Sequence, residues 1–109
     1  MNKKLSILKT PTAKSKLKEI YHYTRKQWGV EQAKKYMVIL DKAIHDVAKG
    51  VKQTRINPEF STRFSYIRAE KHYIFFEYKE DSLIVVTVFH TAQSVKDRLA
   101  DEATNISLS

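Results

Sequence analysis

Between Arg63 and His90 the chain reads RFSYIRAEKHYIFFEYKEDSLIVVTVFH, three apolar-rich runs separated by short polar breaks. In Arg63–Ala69 the residues Phe64, Tyr66 and Arg68 alternate with Arg63, Ser65 and Ile67, which is the two-residue period of a strand. His72–Tyr78 is rich in aromatic residues and Leu83–Phe89 is almost wholly apolar and β-branched, compositions that suit a packed, pleated surface. The breaks at Ala69-Glu70-Lys71 and at Lys79-Glu80-Asp81-Ser82 are short enough to join only antiparallel neighbours. A three-stranded meander is expected, and Leu83–Phe89, apolar on both faces, should be the central, most buried strand of the sheet.

The N-terminal half has the other period. Lys4–Leu8, with Leu5 and Ile7 on one side, reads as a further strand whose neighbours the local pattern does not assign. Thr10-Pro11 then opens a helix, with Thr10 as N-cap and Pro11 where a missing N–H costs nothing. Ala13, Leu17, Ile20, Tyr21, Thr24 and Trp28 form its apolar stripe and Gly29 ends it. A second stripe, Ala33, Tyr36, Met37, Leu40, Ile44 and Val47, runs to the stop at Lys49-Gly50. So short a link makes the two helices an antiparallel hairpin. Residues 51–62, with Pro58 and no periodicity, are expected as a loop. Beyond His90, Val95, Leu99 and Ala103 have helical spacing, and a frayed tail is expected over 104–109. The predicted fold class is α+β, in the order β-α-α-β-β-β. The helical hairpin packs on one face of a mainly antiparallel sheet, and a short C-terminal helix follows.

At 109 residues this is a single domain, expected over 1–103. The absence of cysteine excludes a disulfide scaffold and Cys-ligated zinc. No apolar run approaches the roughly 20 residues of a membrane span. A cytoplasmic protein with no membrane partner is expected. The net charge of +8 is concentrated at the front: residues 1–28 hold eight Lys and Arg against one Glu, whereas residues 72–109 hold three against six acids. Such asymmetry suits a polyanionic or acidic partner, and equally a solvated lysine-rich face.

The residues offer little overt chemistry. His22 and His45 lack a second ligand at helical spacing, so no metal is expected there. His72 opens one strand and His90 closes another, which brings them to the same sheet end as a candidate acid–base pair or a structural one. Arg63 and Arg68 fall on opposite faces of their predicted strand. No Ser/His/Asp order, phosphate loop or paired carboxylates are present.

The order of these motifs is nonetheless specific. Residues 21–50, YHYTRKQWGVEQAKKYMVILDKAIHDVAKG, resemble the helical hairpin of the ParE toxins, with Tyr23, Trp28, Gly29, Gln32, Ala33 and Tyr36 at the family spacing. Residues 64–99 are similar to that family's meander, including the strand that begins His72-Tyr73-Ile74-Phe75, the strand-terminal His90 and the closing Arg98-Leu99. The resemblance covers residues 5 to 101 and implies a RelE/ParE-like toxin of a type II toxin–antitoxin, plasmid-stabilising module. It would inhibit DNA gyrase and block replication without catalysis, cofactor or metal, and a ParD-like antitoxin would neutralise it. The resemblance implies no sequence-specific nucleic-acid contact of its own, and either a homo-oligomer or a toxin–antitoxin hetero-oligomer.

A ParD-like acidic tail would be steered by Lys14, Lys18, Arg25 and Lys26 and anchored on Tyr21, Tyr36 and Leu40. Arg63, Arg68, His72 and His90 are the candidate target-facing residues. RelE-type relatives cut mRNA on the ribosome with basic residues on the sheet and an Arg and a Tyr after the last strand. This chain has Thr91, Ala92, Gln93 and Asp97 there, which removes the cation for the scissile phosphate and the base for the 2′-hydroxyl. The mRNA endonuclease is therefore the alternative reading, and an inactive toxin fold serving as a binding module is a third. Thr91-Ala92-Gln93-Ser94 also departs from the polar-basic-Met-Asp run of many ParE members.

Overall fold

The computed structural model describes residues 4–95 and Leu99. Its elements are β1 (Ser6–Lys9), α1 (Pro11–Trp28), α2 (Val30–Ala48), β2 (Ser65–Ala69), β3 (His72–Lys79) and β4 (Ser82–His90). The four strands form one sheet in the order β1-β4-β3-β2. The meander is antiparallel as expected, and β1 pairs parallel to β4, Ile7 opposite Leu83. β4 is thus interior, which explains why its sequence is apolar on both faces.

The register slips once. Phe75 lies opposite Thr87 but Phe76 lies opposite Val85, so Val86 is an extra residue in β4. This bulge reverses the alternation beyond it, and Val85 and Val88, three apart, both face the helices. The bulge sits where β1 leaves the edge of β4 and α1 begins. Thr10 N–H donates to the Val85 carbonyl (3.1 Å), and the Thr10 hydroxyl donates to that of Val86 (2.7 Å). The same hydroxyl accepts from Ala13 N–H at 3.0 Å, so one side chain caps α1 and fastens it to the sheet.

Two apolar clusters result, one on each face. On the hairpin side Ala13, Leu40, Ile44 and Val47 pack on Ile67, Ile74, Phe76, Leu83, Val85 and Val88. The opposite face is closed too, by Phe64, Phe75, Val86, Phe89, Val95 and Leu99, with Phe60 of the 51–62 loop laid against Tyr66, Tyr73 and Phe75. The hairpin thus covers one face, as expected, and the apolar second face of β4 is covered as well. Val95 and Leu99 are helical and buried; the remainder of the expected C-terminal helix and the 104–109 tail lie outside the described residues.

The hairpin is longer than the sheet is tall. Leu5 N–H reaches the Ala48 carbonyl at one end (3.0 Å), and the Tyr36 hydroxyl reaches His72 at the other (2.6 Å). His72 pairs with His90, the last rung of the sheet, so α2 spans the sheet from Tyr36 to Ala48. Val30–Lys35 and the end of α1 project beyond it by about 9 Å, at the ordinary helical rise. This overhang is why Trp28, expected in the core stripe, is 68% exposed: it has the right helical phase but no sheet beneath it.

Candidate partner-docking site

Met37-Val38-Ile39-Leu40 are consecutive in α2 and cannot all face the sheet. Leu40 turns inward and Val38 stays 66% exposed. Together with Met37, Asp41 and Ile44 of α2, Leu17 of α1 and Lys9 of β1, they line a groove of about 350 Å³ between the two helices. At about 100° per residue, Lys14, Lys18, Tyr21, Arg25 and Trp28 share one flank of α1, beside Leu17. Glu19, the only acid in α1, lies on another side of the helix. The site is therefore an apolar floor with a cationic rim, which suits an amphipathic segment carrying acidic residues. Of the apolar groove residues, Leu17, Met37, Leu40 and Ile44 were in the counted stripes and Val38 was not; the unbroken apolar run at 37–40 was the signal that could have found it.

Among the residues expected to anchor or steer a partner, Lys14, Lys18, Arg25 and Lys26 are exposed and Tyr21 is half-buried with its ring edge against His22. Two expectations need correction. Leu40 is 1% exposed and belongs to the core, so it offers only the bottom of the groove. Tyr36 is turned to the sheet end, where its oxygen accepts from Lys71 N–H (3.2 Å) and bonds His72 Nδ1.

That sheet end is a compact polar cluster. The rings of His72 and His90 meet edge to face with centroids 5.2 Å apart, as their strand positions implied. Burial, and secondarily the neighbouring His90, hold the His72 pKa down at about 4. Burial also pushes the Tyr36 hydroxyl up, against the Lys71 N–H bond that lowers it and with Glu70 raising it further. His90 is fastened by its own turn: its Nδ1 accepts from Ala92 N–H (3.0 Å), and its N–H donates to Gln93 Oε1 (2.8 Å). Among the described residues no three His, Asp or Glu side chains cluster as a metal site would require.

Arg63 lies before β2 rather than in it, so it is not held to one face of that strand. Its Nε donates to Glu77 Oε2 at 2.9 Å, and its guanidinium covers the Phe64 ring at 4.8 Å. Arg68 is exposed and donates from Nε to the Glu70 carbonyl at 3.0 Å. Arg63 is therefore committed within the fold, and the two arginines do not converge with the histidines on one reactive centre.

A sequence profile described as the ParE toxin of the type II toxin–antitoxin system parDE matches residues 7–95. The chain belongs to the ParE toxin family. It is 30% identical over 93 residues to Toxin ParE of Escherichia coli, covering 84% of this chain and 90% of that one. It is 31% identical over 93 residues to Toxin ParE1 of Mycobacterium tuberculosis, covering 84% and 95%. A solved structure titled as the chromosomal ParDE system from P. aeruginosa shares the fold, with a TM-score of 0.69 at 17% identity over 80% of this chain and 96% of that one. In this family's terms, the groove and its cationic rim lie on the hairpin, and the histidine cluster at the end of the meander.

Proposed function

We propose that this ParE-family protein is a toxin that inhibits DNA gyrase, is not itself an enzyme, and is held inactive by a ParD-like antitoxin whose acidic segment lies in the hairpin groove. The observation that carries the antitoxin part is the pairing of an apolar floor (Leu17, Met37, Val38, Ile44) with exposed Lys14 and Lys18 on its rim. Arg25 and Lys26 stand about two turns beyond Lys18 along α1, where they attract an acidic segment without lining the groove. The ParDE title of the structural neighbour supports an antitoxin partner. Support for a non-catalytic toxin comes from the turn after β4. Thr91, Ala92 and Gln93 supply no cation, and Gln93 is spent on fastening His90.

Controlled expression in bacteria tests the reading. SOS induction with gyrase-linked DNA breaks, relieved by a co-expressed antitoxin, is the expected result. Translation arrest with cut mRNA would replace it with the endonuclease reading, and normal growth with that of an inactive binding module.

A further inference from the structure

The part of the hairpin that projects past the sheet is not explained by the groove. Residues 21–35 carry Arg25, Lys26, Lys34 and Lys35 against Glu31 as the only acid. All four cations are exposed, and among the described residues none of them makes an ion pair. The groove is lined by residues 9, 17 and 37–44, so no apolar floor accompanies these charges. Of the exposed apolar side chains of the tip, Tyr23 and Trp28 are five residues apart and so diverge by about 140° around α1, and Val30 stands across Gly29 on the other helix. A protein partner needs a contiguous apolar centre beside its charged rim. A polyanion needs only cations at a protruding surface.

We propose that the projecting tip of the helical hairpin is a sequence-independent DNA-binding surface that takes the phosphate backbone of a duplex through Arg25, Lys26, Lys34 and Lys35. Two helix ends meeting at Gly29 present these cations on a narrow protrusion, free of the bulk of the sheet. Its sole acid, Glu31, lies in the first turn of α2. Trp28, the only tryptophan in the chain, stands at the same tip and reports on it directly. The inference does not rest on the gyrase reading, since the contact is with DNA alone.

The test uses the purified chain and a short duplex of arbitrary sequence, followed by fluorescence anisotropy of the DNA and by Trp28 emission. Binding in about the micromolar range at low salt is expected, with log K falling against log salt at a slope of about −3 to −4, as four phosphate contacts require. Trp28 emission should change over the same titration. The Arg25→Glu, Lys26→Glu variant should bind at least tenfold more weakly and lose about two units of that slope. Lys49→Glu, Lys52→Glu, at the opposite end of α2, is the charge-matched control and should bind nearly as the parent does. Equal losses in both variants would assign the affinity to overall charge and overturn the proposal. So would DNA binding with no change at Trp28, or no binding at low salt. A tip variant that keeps DNA affinity but loses a poly-glutamate peptide would overturn it in favour of an acidic protein partner.

Discussion

The Tyr36 oxygen has one proton to give, and the structure determines where it goes. That oxygen already accepts from Lys71 N–H, so the short bond to His72 Nδ1 is best made with Tyr36 as donor and a neutral imidazole as acceptor. Protonated His72 would aim a second hydrogen at the same oxygen and place a cation beside the His90 ring. Hence its pKa lies near 4 rather than 6.5, for the reasons of burial first and His90 second. The sign follows. The unfolded chain binds this proton at a higher pH than the folded one, so the stability is present above pH about 6.5 and drains away as pH falls toward 4. The loss should reach about 2–3 kcal/mol at the acid end. Thermal melts of the parent and of His72→Gln between pH 7 and pH 4 should diverge at neutral pH and converge in acid. An unchanged acid dependence in the variant would assign it to other groups. Tyr36→Phe leaves Lys71 N–H and His72 Nδ1 without this partner and should cost about 1–3 kcal/mol at pH 7, read as a lower melting temperature. The double variant His72→Gln, His90→Gln should lose stability yet keep any growth inhibition. A folded, antitoxin-binding variant without toxicity would instead place this sheet end against the target.

Elements in this chain are joined by few residues, and Thr10 is the clearest. Its hydroxyl serves both the first turn of α1 and the carbonyl of the bulged Val86, so Thr10→Ala removes a cap and strands a carbonyl at once. A loss of about 2 kcal/mol is expected in chemical denaturation, with Thr10→Ser keeping most of it. Gly29 is a contrast. Its φ of +94° and ψ of 168° are a backbone conformation essentially confined to glycine, but a Cβ there would meet nothing within 4 Å, so Gly29→Ala should cost only the backbone strain, about 1–3 kcal/mol. Both positions were legible in the sequence, because capping and left-handed termination are local chemistry. So were the meander, its interior strand and the hairpin. The parallel pairing of β1 was not, since parallel partners are chosen by tertiary packing and leave no turn signature. Nor was the bulge, which is hidden in a run where every residue is apolar. Trp28 shows the same limit from the other side. Its helical phase said core, but burial depends on how far the sheet extends beneath the helix, and no periodicity encodes that. For the candidate site, the cations were legible as charges, whereas the groove required knowing which of Met37–Leu40 turns outward. Tyr36 and Leu40, read as anchors for a partner, proved to be spent on the fold itself.

At the scale of the molecule the charge distribution is the property that reaches furthest from the surface. Net charge is +8, and α1 holds five of the cations against the single Glu19, on the helix that rims the groove. An acidic partner approaching this side gains attraction before any contact forms, and the gain appears in the association rate rather than in the lifetime of the complex. Added salt should therefore slow association with a ParD-like antitoxin, since the screening length falls from about 10 Å at 0.1 M to about 3 Å at 1 M. Lys18→Glu with Arg25→Glu should slow it further at low salt and flatten the salt dependence, while dissociation changes little. Both side chains are exposed and unburdened by packing, so the melting temperature should move by no more than a degree or two. The groove floor predicts the opposite split. Val38→Ser removes apolar surface where the apolar part of an acidic segment would rest, without altering the charge of the groove. Dissociation should then accelerate, with the association rate nearly unchanged. Stopped-flow mixing with the antitoxin over a salt series reads both rates in one experiment. A rim variant that altered only dissociation, or a Val38 variant that left both rates alone, would move the docking surface off this groove.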